Sequence, residues 1–163
     1  MTHRSVIDPD ARLARKSNGT ASILGHLGRV LMDNRHGLIV ATDVREPGYD
    51  AERDAAVRML TRLARRQRRR TLGTDKGYDS AALVRGARAR GVTPHVAQTI
   101  HVRKFTTVIP KRTTRRAGYA ISQMKRKLVE EAFGWVKTIG GLRTFHQRGH
   151  AKERWPFTFT NAA

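Results

Sequence analysis

The chain contains no cysteine. That excludes disulfide scaffolds, thiolate zinc sites and cysteine nucleophiles at once, and it suits a reducing, cytoplasmic setting. Long apolar runs are also missing: the longest, such as Gly37 to Ala41, fall far short of the roughly 18 to 20 residues a membrane span needs. Met1 to Ser5 lacks the apolar core of a secretory signal. No amphipathic basic helix or lipidation signal stands out, so a membrane partner is not expected. Gly140-Gly141 has no following Lys-Ser/Thr, which excludes a P-loop, and no Gly-x-Ser-x-Gly elbow occurs. His146 and His150 have i, i+4 spacing, but Gly149 intervenes and no acid follows at a zincin position, so they read as a surface pair.

Acidic residues are scarce as well. Asp plus Glu number 13 against 33 Lys plus Arg in 163 residues, for a net charge of +20 and a pI near 11.7. Such a chain repels itself unless a polyanion neutralises it, and nucleic acid is the obvious partner. The length suits one domain with a core of its own.

Residues 1–21 are polar and turn-prone, with Asp8-Pro9-Asp10 and Lys16-Ser17-Asn18-Gly19 as turn signals, and read as a lead-in. From Ser22 to Arg45, two apolar β-branched runs flank Asp33-Asn34-Arg35-His36-Gly37, which predicts an antiparallel hairpin. Asp50 is placed to cap a helix with Ala56, Leu60, Leu63 and Ala64 as its buried stripe, followed by a short strand Thr71 to Thr74 that ends at Asp75. Asp79 or Ser80 opens a second helix that stops at Gly91, and Val92 to Ala97 forms another strand. Residues 98–118, basic and broken by Pro110, read as a loop or inserted arm. A third helix is expected from Ser122 to Ile139, then a basic tail containing Trp155-Pro156-Phe157-Thr158-Phe159. Those aromatics are more simply read as core than as a base-stacking platform.

At about 100° per residue, Met124, Leu128, Ala132, Trp135 and Ile139 of the third helix share an arc that should be buried. Arg126, Glu130 and Lys137 share the opposite face. That set can be a solvated charge pair and no more. Its significance comes from Asp75: two-metal phosphodiester chemistry needs ions about 3.5 to 4 Å apart and carboxylates converging from different elements. Asp75 and Glu130 can converge in that way, with Arg and Lys holding the phosphate backbone.

The stretch Leu72-Gly73-Thr74-Asp75-Lys76-Gly77-Tyr78-Asp79 and the stretch Arg126-Lys127-Leu128-Val129-Glu130-Glu131-Ala132-Phe133-Gly134-Trp135-Val136-Lys137 resemble the second and third acidic blocks of DDE transposases of the IS4/IS5 insertion-sequence group. Gly25 to Ala41, Val92 to Gln98 and Phe157 to Thr160 also look like that group. The resemblance implies an α/β, RNase H-like mixed sheet flanked by helices, occupying residues 22–163. It implies Asp75 and Glu130 as catalytic residues and ligands of Mg²⁺ or Mn²⁺ in a two-metal site. Arg126 and Lys137 then correspond to signature cations on DNA, with Lys76, Lys125 and Lys127 beside them. Glu131 is an adjacent decoy, turned about 100° from Glu130 toward the expected buried arc. Where the family often has a tyrosine three residues before the arginine, this chain has Gln123. The implied partners are transposon-end and target DNA and a second copy in a synaptic complex, in a cytoplasmic, nucleoid-associated setting.

The first family aspartate has no evident match. Asp8 and Asp10, the acids before the hairpin, flank Pro9 in a turn. The expectation is therefore a domain lacking its first strand and shortened at both ends, with weak or no activity. A non-catalytic basic DNA- or RNA-binding module is the alternative, and an RNase H-like nuclease unrelated to transposition is a third reading.

Overall fold

The computed structural model describes residues 5–15, 19–48, 50–63, 69–98, 107–142 and 147–162. Ala64, Arg65, Arg66, His146 and part of the 98–118 arm, all singled out in the sequence, lie outside them.

The hairpin forms as expected. Strand β3 (Leu27–Asp33) pairs antiparallel with β4 (Leu38–Arg45), Leu27 opposite Arg45 and Asp33 opposite Leu38. Local chemistry makes the turn: the Asp33 carboxylate accepts from the Arg35 amide at 3.2 Å and meets His36 Nδ1 at 2.7 Å. Gly37 closes it at φ +74°, a conformation that side chains resist. The polar lead-in contributes a strand of its own, since β1 (Arg12–Ala14) pairs antiparallel with β2 (Ile23–Gly25).

Helix α1 (Ala51–Arg62) buries Ala55, Ala56, Met59 and Leu60. Asp50 precedes it without capping it; the carboxylate is drawn instead to Arg53 Nη1 at 2.6 Å. Strand β5 (Arg70–Thr74) and β6 (Val92–Val96) are parallel, Arg70 opposite Val92 and Thr74 opposite Val96. Parallel strands require a crossover, here α2 (Ala81–Arg88), opened by Ser80, whose Oγ accepts from the Leu83 amide at 3.3 Å. Gly91 follows that helix at φ +70°. Leu72, Leu83, Val84, Ala87, Val92, Val96 and Ile109 pack with Ala56 and Leu60 as the core, and Leu31 of β3 joins its margin.

Three expectations are corrected. The fold is α/β, but among the described residues the antiparallel and parallel pairings fall in three separate two-stranded sheets, with no strand pairing there that joins them into one mixed sheet. The third helix is two: α4 (Ala117–Lys125) and α5 (Leu128–Thr138), preceded by a short α3 (Lys111–Thr114) inside the expected arm. Between α4 and α5, i→i−3 bonds, such as Lys127 to Met124 and Glu130 to Lys127, replace i→i−4 bonds. The tighter winding resets the helical phase. The expected buried arc is lost as a result: Met124 and Ile139 are exposed, and Val136 is the buried residue of α5. The tail is also ordered as α6 (His150–Thr160). Phe157 is buried there against Gly28, while Trp155 and Phe159 stack on each other at 5.2 Å on the outside.

Candidate active site

Asp75 leaves the end of β5, where its Oδ1 accepts from the Gly77 amide at 2.9 Å and fixes the carboxylate over a 3₁₀ turn, Lys76–Tyr78. Arg53 steadies that turn through the Gly77 carbonyl at 3.0 Å. Tyr78 closes it half-buried, its hydroxyl pushed up to about 12 by burial, with the nearby charges of Glu52 and Asp75 adding to the shift. Glu130 is exposed in the first turn of α5.

What brings the two elements together is a glycine. A side chain on Gly73 of β5 would begin 3.1 Å from the Ser122 carbonyl and 3.4 Å from Arg126 Cβ. The bare strand therefore lets the end of α4 lie directly on it. Gln123 completes the joint by donating to the His95 carbonyl of β6 at 2.6 Å while accepting from Arg126 Nε at 2.9 Å.

One cavity of about 1090 Å³ is lined by Asp75, Glu130, Arg126 and Lys125 together, with Arg29 and Glu52. Strands β3 and β5 both contribute to its walls, yet each is hydrogen-bonded only to its other neighbour among the described residues. Arg29 is 7% exposed; its Nη1 donates to the Leu27 carbonyl at 3.3 Å, whereas Nε and Nη2 have no partner among the described residues. Burial pushes its pKa below the ordinary arginine range, with Glu52 and Asp43 pulling the other way. Arg70 Nε and Thr74 Oγ1, also on the lining, are buried and unpartnered as well.

Of the expected site residues, Asp75, Glu130, Arg126 and Lys125 line this cavity. Lys76, Lys127 and Lys137 are exposed and outside the lining. Arg126 belongs to the turn before α5, so it does not share a continuous helical face with Glu130 and Lys137. Arg29 and Glu52 went unnoticed as site residues in the sequence, and Gln123 was singled out there only as a departure from the family's tyrosine. Arg29 left one trace there, a lone charge inside the apolar run Leu27 to Met32.

Two carboxylates beside hydrogen-bond donors and cations can hold divalent metal next to a phosphate, which is the equipment of a phosphoryl-transfer protein. Family comparison narrows that class. Residues 9–158 match the family described as Transposase DDE domain, and the chain belongs to it. No curated protein and no solved structure matches the chain. Domains of this family use divalent metals, and membership implies DNA as the partner. No helix among the described residues is long and apolar enough to cross a membrane.

Proposed function

We propose that the chain is a DDE transposase of the IS4/IS5 group, with an RNase H-like arrangement, that binds transposon-end and target DNA and carries out hydrolysis and strand transfer. The observation that carries this reading is the shared cavity: Asp75 and Glu130, 55 positions apart in the sequence, line it together with Arg126 and Lys125. Asp75 and Glu130 are hard oxygen donors open to solvent, which suits Mg²⁺ or Mn²⁺ better than softer ions. Bound there, the metals supply Lewis-acid polarisation of the phosphate and activation of the attacking oxygen. Arg126, held by Gln123, and Arg29, whose Nε and Nη2 have no partner among the described residues, would grip phosphate oxygens. Lys76, Lys125, Lys127 and Lys137 extend the cationic track along the DNA, and a homodimer in a synaptic complex would present two such tracks, within the bacterial-type nucleoid.

Turnover by this chain alone is expected to be weak. The sequence offers no match for the family's first aspartate, and the cavity opens between β3 and β5 where no strand among the described residues joins them. The test is cleavage of plasmid DNA in Mg²⁺ and Mn²⁺. Slow, metal-dependent nicking should fall below about one hundredth in Asp75→Asn or Glu130→Gln, since even outer-shell partners of a metal are worth 10- to 100-fold. Nicking that survives both substitutions would overturn the site. Robust wild-type turnover abolished by Asp75→Asn would keep the site and overturn the weakness. DNA binding without metal, with no nicking in either ion, favours the basic binding module, for which the exposed cations outside the cavity speak.

A further inference from the structure

Three side chains that this site does not use meet elsewhere in the molecule. Asp8 comes from the turn before β1, His26 from the single residue between β2 and β3, and Glu153 from the first turn of α6. One ligand atom from each lies within 4.8 Å of the other two. The His26 side chain is fully buried and that of Glu153 is 7% exposed. His26 Nδ1 stands 2.5 Å from Glu153 Oε2. That contact is itself close enough for a hydrogen bond, but the other imidazole nitrogen, Nε2, has no hydrogen-bond partner among the described residues. Buried polar atoms are nearly always satisfied, and those that are not call for an explanation such as an ion.

The surroundings hold the third ligand in place. Asp8 accepts from the Gly149 amide at 3.1 Å through Oδ2 and from the Asp10 amide at 3.1 Å through Oδ1. The Gly149 bond comes first among the influences that hold its carboxyl below the ordinary range. Each carboxylate oxygen has a second lone pair free for coordination. Asp10 in turn accepts from the His150 amide at 3.3 Å, and His150 Nε2 reaches the Val44 carbonyl. Without a cation, the buried Glu153 carboxylate and that of the half-buried Asp8 face one buried imidazole, a costly arrangement.

We propose that Asp8, His26 and Glu153 bind one divalent transition metal, Zn²⁺ by preference, that clamps the start of α6 to the β2–β3 junction and the lead-in. One imidazole and two carboxylates match zinc in charge and ligand type, and the imidazole disfavours Mg²⁺. Bonds of about 2.0 to 2.1 Å place tetrahedral donors roughly 3.3 Å apart. The His26–Glu153 contact then opens by under about 1 Å as Asp8 closes in. Water would complete the set.

The experiment uses the full chain carrying Asp75→Asn and Glu130→Gln, so that the proposed active site takes no part. The protein is stripped with chelator, dialysed against Zn²⁺ and analysed for metal, with Co²⁺ absorption as a second readout. One equivalent per chain, a tetrahedral Co²⁺ spectrum and a raised Tm on zinc addition are expected. Affinity should fall at least tenfold in Asp8→Asn and in Glu153→Gln. His26→Gln removes the buried ligand; should it fail to fold, the Asp8→Asn variant, altered at a half-buried position in the turn before β1, decides. No stoichiometric uptake by the folded chain, or uptake unchanged by Asp8→Asn and Glu153→Gln, overturns the clamp.

Discussion

Arg126 is held at two removes from the sheet: the guanidinium leans on Gln123, and Gln123 on the His95 carbonyl. A charge fixed before DNA arrives loses little entropy on binding. Arg126→Ala should weaken DNA binding across all sequences and make the log K against log salt plot shallower by about 0.9. Gln123→Ala should leave that slope nearly intact while lowering affinity by about fivefold, the worth of one hydrogen bond. Fluorescence anisotropy at several salt concentrations separates the two. Tyr78 offers a pH test. Its folded pKa of about 12 lies above the ordinary 10.0, so the folded chain keeps that proton longer than the unfolded one. The contribution is complete below about pH 10 and is lost as pH climbs through about 12. Denaturant melts between those limits should lose stability, and Tyr78→Phe should lose less. The place of Asp75 at the end of β5 was readable from sequence because a strand end is marked by local turn chemistry. Arg29 was not, because which cation a sheet buries depends on what covers its face.

Among the elements, the hairpin, the β5–α2–β6 crossover and α1 could be read from period and punctuation alone, since Asp33 to Gly37, Ser80 and Gly91 each act within a few residues of themselves. The split between α4 and α5 could not. Lys125, Arg126 and Lys127 are good helix formers, so propensity is silent where i→i−3 bonds shift the phase. Helix α6 was hidden by its alternating aromatics and by Pro156, and it is fixed by a partner 129 positions away: the Phe157 ring lies over Gly28 of β3. A Cβ on Gly28 would sit 2.5 Å from that ring. Gly28→Ala should therefore cost about 1 to 3 kcal/mol in chemical denaturation, the usual penalty for overpacking. A variant as stable as wild type would mean that α6 moves freely over the hairpin. Asp43, 3% exposed and within reach of Arg58 at 3.0 Å and Arg62 at 3.8 Å, ties α1 to β4.

At the scale of the whole molecule, charge dominates. A surplus of +20 on 163 residues opposes compaction, so added DNA or moderate salt should raise Tm even where the proposed metal sites are disabled. The α/β character and the surplus of basic charge were visible at once in the composition and pattern. The division into three ribbons was not, because pairing between distant strands leaves no local mark. That division sets where the backbone is most firmly protected. No strand among the described residues has a neighbour on both sides, and a lone ribbon is marginal unless a helix shields it. The slowest amide hydrogen exchange should thus be concentrated in β5, β6 and α2, around Leu72, Leu83 and Val96, while the β1–β2 ribbon breathes first and exchanges long before global unfolding.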